Sequence, residues 1–294
     1  MNSKIRPTVV LFLAILGIGW TCSRTLFGAE EKAVPRRIVS MAPNITETVF
    51  ALGCGDRLVA VTDFCVYPPE ALALPKVGGF YNPNLERMAV LNPDLVLLQG
   101  KHEKVDRFCD GRHIRVLHVA MDSLASIYSG IGRLGEALGV PDRAAGLNRA
   151  IGNDLEAVRR AAHRHSTRKV FVSLGRAMGS MANLYTVGGT SFLSEVLRIA
   201  GGENVFGDVK LPYPEASKES LVRRAPEVIL EMRPGEAMAP ERQRQIVAEW
   251  AVFKTIPAVR DGKVFLVTED FVLVPGPRVA AVARILAGTL HGEL

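Results

Sequence analysis

The chain has 294 residues, 48 % of them hydrophobic, and a formal net charge of +6. That length accommodates one large domain or two lobes with separate cores. Lys4, Arg6 and Arg24 supply half of the excess charge within residues 1–29, so the remainder carries only +3, with no block of like charge, which excludes nucleic-acid binding driven by a basic surface.

The basic start runs into an apolar stretch, Thr8 to Trp20. At about 13 residues it is too short for a comfortable membrane span but fits the apolar region of an export signal. Residues 1–29 are therefore expected to be a signal peptide, an N-terminal anchor being the alternative, and the protein to work in the periplasm or another extracytoplasmic space. Two mature ends stay open. Cys22 would be a lipid attachment site, although Gly19-Trp20-Thr21 fits a lipoprotein box poorly; a cut after Ala29 leaves Phe27 where a small residue is expected. Beyond the signal stand Cys54, Cys65 and Cys109, an odd number, so an oxidising compartment permits one disulfide with its pairing open. Cys109 and His113, with His102 nearby, lack a second metal-ligand pair and read as loop and surface residues.

Residues 37–40 read as a short buried strand. Asn44-Ile-Thr-Glu47 offers a capping-box-like start for a helix ending at Gly53. A strand follows at 56–62, and Asn84 caps a short helix, 85–91, stopped by Asn92-Pro93. Further strands are predicted at 94–98 and 114–119. Strands alternating with helices imply parallel βα units and an α/β lobe. From Pro141 to about His165, Leu147, Ile151, Leu155, Val158 and Ala162 mark one apolar helical face. Such a helix would span roughly 36 Å, a rigid strut rather than a hinge.

The second half then repeats the first. A strand at 169–173 ends in serine as 37–40 does, and a helix from Phe192 stops at Gly201-Gly202. Ser217 opens a helix that ends before Pro226, with a strand behind it at 227–230. Ser40 and Ser173, Glu86 and Glu219, and Pro93 and Pro226 are each separated by 133 positions. The expected plan is an N-terminal lobe over 36–121, a helical connection over 122–166 and a C-terminal lobe over 167–294.

Five stretches, in order, carry a resemblance: Arg37-Ile-Val-Ser-Met-Ala-Pro-Asn-Ile-Thr-Glu47, Tyr67-Pro-Pro-Glu70, Asn84-Leu-Glu-Arg87 with Asn92-Pro-Asp-Leu-Val96, Gly201-Gly-Glu-Asn-Val-Phe206, and Pro212-Tyr-Pro-Glu-Ala-Ser217. The chain resembles the helical-backbone (class III) periplasmic solute-binding proteins of ABC importers, which take cobalamin, ferric siderophores or haem, and most of all the cobalamin-binding branch. The resemblance implies an α/β fold of two Rossmann-like lobes joined by one long α-helix, with the ligand cleft between them and only small hinge motion on binding. It also implies a non-enzymatic monomer without a cofactor, whose partners are a corrinoid or iron-chelate ligand and the transmembrane permease.

Glu86 and Glu219 stand at the second positions of their helices, where the helix dipole alone favours a carboxylate. One exposed carboxylate per lobe makes a matched pair, and the resemblance implies that both dock into arginine pockets of the permease. For the ligand, Tyr67, Phe80, Tyr81, Tyr213 and Phe271 collect in predicted loops, with Asp270 beside the last; rigid aromatic faces suit a large, flat, partly apolar ligand. The resemblance carries Tyr67, Phe80, Tyr213 and Asp270 onto cobalamin-contacting positions. Phe80, Tyr213 and Phe271 replace expected tryptophans, and Val274 stands where an arginine would help hold the ligand. An anionic siderophore would want cleft cations, of which the loops offer Lys76, Lys210 and Arg278. Haem stays an alternative through tyrosine ligation, and scattered histidines disfavour a bare metal ion. A two-lobed enzyme is the reading from another class, but Gly-x-Ser-x-Gly, Walker, His-Glu-x-x-His and dinucleotide motifs are absent from the sequence.

Overall fold

The structure, a computed structural model, describes residues 34–176 and 179–292. The expected export signal over 1–29, with Cys22, lies outside the described residues. Among those described, no helix is long and apolar enough to cross a membrane.

Strand β1 (Ile38–Ser40) leads through helix α1 (Pro43–Ala51) to strand β2 (Leu58–Val61). Helix α2 (Leu85–Val90), strand β3 (Leu95–Gln99), helix α3 (Glu103–Asp110) and strand β4 (Arg115–Val119) complete the first lobe. The strands pair in parallel in the order β2-β1-β3-β4. Every residue of β1 and the first four of β3 are buried, the pattern of a parallel sheet covered on both faces. Asn84 caps α2 as the sequence predicts, its side-chain oxygen accepting from the Arg87 amide at 2.9 Å.

Two readings need correction here. The capping box at Asn44 and Glu47 does not form: α1 begins at Pro43, Ala42 is its N-cap, and no side chain caps it. A proline suits the first helical position because its missing N–H would have had no partner there. Asn44 and Glu47 are buried and direct their side chains instead to the segment around 275–278. Cys109 is likewise no loop or surface residue but buried on α3, whose N-cap is His102. Burial, reinforced by Asp106 and Asp110, pushes the Cys109 thiol up to about 11, which suppresses the thiolate a metal would need. Cys54, Cys65 and Cys109 are all free and buried, so the permitted disulfide is not formed among them.

Helices α4 (Leu124–Ala137) and α5 (Pro141–Ala162) lead into the second lobe. There strand β5 (Arg168–Gly175), strand β6 (Tyr185–Thr186), helix α6 (Phe192–Ile199), strand β7 (Gly202–Asn204), helix α7 (Lys218–Arg224) and strand β8 (Val228–Met232) follow. Helix α8 (Pro240–Glu249), helix α9 (Pro257–Arg260), strand β9 (Val264–Val267) and helix α10 (Val279–His291) end the chain's described part. Strands β7, β5, β8 and β9 run parallel in the order that β2, β1, β3 and β4 keep in the first sheet, with β6 added antiparallel on β5. The internal repeat is thus a repeat of topology: Ser40 and Ser173 lie in β1 and β5, and α2 and α7 each precede the next strand, β3 and β8.

Helix α5 has 22 residues, a length of roughly 33 Å. Ala144, Ile151, Leu155, Val158 and Ala162 form its buried face, which packs on α4, α6 and α10. Leu147, read as part of that stripe, is only half-buried, and Ala144 takes its place. One apolar core runs without a break from Ile38 and Leu95 of the first sheet, through this helical layer, to Val170 and Leu230 of the second. Helix α5 thus joins the two lobes as the sequence predicts, and α4, α6 and α10 pack around it as one apolar spine.

Candidate functional site

In open parallel sheets, ligands bind beyond the carboxyl ends of the strands. At that edge of the first lobe lie the 62–67 and 78–82 loops, tied together by the Asp63 amide donating to the Gly78 carbonyl at 3.2 Å. Lys76 holds the first loop from beneath, its Nζ donating to the Cys65 and Ala71 carbonyls, each at 3.0 Å. Tyr67 stands on this loop 41 % exposed, before a cis bond to Pro68. On the second loop, Phe80 meets Tyr81 edge-on at 5.4 Å and His102 at 4.9 Å. His102 Nδ1 accepts from the Val105 amide at 3.2 Å, which places the ring proton on Nε2, and Nε2 donates to the Phe80 carbonyl at 2.5 Å. Tyr81 is 94 % exposed.

In the second lobe, the segment after β9 carries exposed Asp270 and half-buried Phe271. Both meet Arg278, the N-cap of α10. The guanidinium carbon lies 3.9 Å from the Tyr67 ring centroid and 4.4 Å from that of Phe271. Its Nε and Nη2 donate to Glu47 at 2.8 and 2.6 Å, and Nη1 lies 3.5 Å from Asp270. Burial raises the Glu47 carboxyl above its ordinary value, and the Arg278 hydrogen bonds and charge pull it back down. The carboxyl edges of the two sheets thus converge on one arginine. Val274 is half-buried, and the arginine of this segment is Arg278, four residues further on.

Tyr213 is half-exposed on a third loop, placed by its backbone: the Thr186 and Gly188 amides of the β6 edge donate to the Pro214 and Pro212 carbonyls, both at 2.9 Å. Tyr185 is exposed on the same edge. The approach needs Gly188, because a Cβ there would lie 1.8 Å from the Leu211 carbonyl oxygen. Gly188→Ala is expected to cost about 1–3 kcal/mol through overpacking. Thermal unfolding followed by circular dichroism should show a fall of roughly 2–12 °C; an unchanged midpoint would mean that the Tyr213 loop is free to move away.

Deeper in the second lobe, Glu231 is fully buried and gathers the cations at the ends of β5 and β8. It accepts from Arg176 Nε at 3.3 Å, from Arg233 at 2.9 and 2.5 Å and from the Trp250 ring N–H at 2.6 Å. Arg176 also pairs with Glu249, and Arg233 with Glu236 at 3.5 Å. On the outer surface, Glu86 and Glu219 are exposed in the first turns of α2 and α7. Glu219 borders a shallow groove of about 410 Å³ with Lys218, Val222 and Arg223.

Of the residues singled out from the sequence, the structure brings Tyr67, Asp270 and Phe271 together around Arg278. Phe80 and Tyr81 form a neighbouring cluster with His102, and Tyr213 stands on its own loop. Sequence reasoning did not find the Glu47–Arg278 pair. The available signal was the single charged residue of a short helix, Glu47, which the cap reading absorbed.

Two parallel-sheet lobes on a shared helical spine, with loops from both converging at one floor, define a solute-binding protein of the periplasmic type. The periplasmic binding protein family matches residues 38–271, and the chain belongs to it. A vitamin B12-binding protein of Vibrio parahaemolyticus is 32 % identical over 251 residues, covering 82 % of this chain and 84 % of that protein. The crystal structure of the periplasmic vitamin B12 binding protein BtuF of Vibrio cholerae is similar with a TM-score of 0.72 at 25 % identity, over 87 % of this chain and 97 % of that one. The apo form of the periplasmic heme-binding protein RhuT of Roseiflexus sp. RS-1 is similar in fold, with a TM-score of 0.73 at 24 % identity, over 87 % and 98 %.

Proposed function

We propose that this protein is the extracytoplasmic receptor of an ABC importer, that its ligand is a corrinoid, and that it delivers the ligand unchanged, without acting as an enzyme. One observation carries the choice of ligand. Lys76, Arg176, Arg233 and Arg278 are engaged by backbone carbonyls or carboxylates and Lys210 is exposed, whereas Tyr67, Tyr81 and Tyr213 keep 41, 94 and 50 % of their surface open. Such a site offers aromatic faces and few free cations, which suits a large ligand edged with neutral amides better than a polyanionic chelate. In this reading Tyr67, Phe80, Tyr81, Tyr213 and Phe271 contact the macrocycle, and the exposed Asp270 accepts an amide N–H. The relatives named as vitamin B12-binding proteins support the same choice. Residues 1–29 would be the export signal, with Cys22 the attachment point if the mature protein is lipidated, and Glu86 and Glu219 would dock on the two permease subunits.

The test is a titration of the purified mature protein with cyanocobalamin, followed by retained visible absorbance after gel filtration. One corrinoid per chain with a Kd of about 1 µM or tighter is expected, equivalent to roughly 8 kcal/mol. Saturable binding of haem or a ferric siderophore, with none of cyanocobalamin, would overturn the corrinoid reading and leave the receptor class in place.

A further inference from the structure

We propose that Arg278 is a positioning residue that pins the two lobes together at the floor of the cleft and fixes the spacing of its two aromatic walls before any ligand arrives. That these walls face a ligand rests on the reading above; that the pin joins the lobes does not.

Four observations converge on it. Glu47 belongs to α1 of the first lobe and Arg278 to the start of α10, 231 positions apart in sequence, and they meet through two hydrogen bonds. The Glu47 side chain is 3 % exposed and that of Arg278 18 %. Tyr67 from the first lobe and Phe271 from the second both lie against the guanidinium. Beside them, Asn44 Nδ2 donates to the Pro275 carbonyl at 3.2 Å, and Gly276 packs so closely on Asn44 that an added Cβ would sit 3.3 Å from the Asn44 Cβ.

An ordinary buried ion pair would not need this arrangement, since apolar residues of similar volume often stabilise a protein as well or better. A planar guanidinium differs from a lysine ammonium in that its edge can bind a carboxylate in two places while its faces pack against rings. Here both uses are filled at once, and they draw on both lobes. The consequence is preorganisation: two walls held at a set distance need not be ordered by the ligand, which lowers the cost of binding. The same pairing also withdraws the cation, because Glu47 and Asp270 together outnumber it two charges to one. Arg278 is therefore not an anion receptor.

The experiment uses the full mature chain with spin labels at Lys104→Cys and Ala237→Cys, one exposed position near the cleft edge of each lobe. Cys54, Cys65 and Cys109 are buried, so labelling of the chain from residue 34 onward falls on the new thiols. Electron–electron resonance without ligand should give one narrow distance distribution for the parent, a broadened one for Arg278→Met and an intermediate one for Arg278→Lys. In parallel, cyanocobalamin should bind Arg278→Met about tenfold or more weaker, mainly through faster dissociation. The double variant Glu47→Gln/Arg278→Met separates this role from stability: it relieves the unpaired carboxyl and should regain much of the lost melting temperature without regaining affinity. Parent-like distance distributions in folded Arg278→Met would overturn the proposal, as would affinity that simply follows stability across the series. If the parent binds no cyanocobalamin yet the distribution still broadens, the ligand assignment fails and the pin stands.

Discussion

Replacing Glu231 by glutamine should destabilise the protein by about 3–5 kcal/mol, the usual cost of removing one partner from a buried charge network. The carboxylate is completely buried, with the fully buried side chain of Arg176 on one side and Arg233, 11 % exposed, on the other. A neutral amide can still accept from the Trp250 ring N–H but no longer offsets two guanidiniums that have left water. At roughly 2–4 °C per kcal/mol for a chain of this size, the melting temperature should fall by about 6–20 °C. Glu249→Gln is the comparison: its side chain is 26 % exposed, Arg176 keeps its pair with Glu231, and the loss should be much smaller. Trp250 is the sole tryptophan beyond residues 1–29 and touches Glu231 directly, so denaturant unfolding followed by its fluorescence reads the site itself. A loss below about 1 kcal/mol would show that water or neighbouring groups replace the carboxylate.

Charge reversal at the two exposed glutamates should produce the largest functional loss with the smallest structural one. Glu86 and Glu219 lie in equivalent helices of the two lobes and are exposed, so Glu86→Lys and Glu219→Lys should leave folding intact. Each loses a favourable helix-dipole contact of about 0.3–1 kcal/mol, a melting shift of a few degrees at most. If the proposed dock is lined with arginines, the same change turns attraction into repulsion, worth several kcal/mol. Corrinoid uptake by cells carrying the cognate importer should fall about tenfold or more for either variant and to background for the pair. Cyanocobalamin affinity should stay within about twofold of the parent, since neither residue is among the partners of Arg278, which are Glu47, Asp270, Tyr67 and Phe271. Lost affinity would place the glutamates in the ligand site instead, and unchanged uptake would place the dock elsewhere.

Much of this architecture was legible from local pattern. Short apolar runs gave six of the nine described strands, with β6, β7 and β9 missed, Asn84 and Ser217 gave two helix starts, and the 133-residue displacement anticipated two related lobes. Each of those features depends on residues close in sequence or on a repeated spacing. The chemistry at the cleft floor depends on neither. Glu47 and Arg278 are far apart in the chain, and Asn44 and Glu47 fitted a local capping rule well enough to hide their long-range partners. Glu231 was obscured differently: a carboxylate within a strand of apolar residues states that something must neutralise it, but not that Arg176, Arg233 and Trp250 would all do so. Loop aromatics could be picked out as a group, yet which of them meet, Tyr67 with Phe271 through Arg278 and Phe80 with His102, follows from the fold alone.

The unbroken spine has a consequence for how such a receptor is emptied. Many two-lobed binders close like a jaw, so that their outline reports whether they are full. With α4, α5, α6 and α10 fused into one core and Arg278 fastening the floor, this molecule has little freedom to change its outline. Full and empty copies then present nearly the same face to whatever collects the cargo and compete for it on nearly equal terms. Discrimination must come from the cargo itself, exposed at the mouth, and the work of prising it loose falls on the collector.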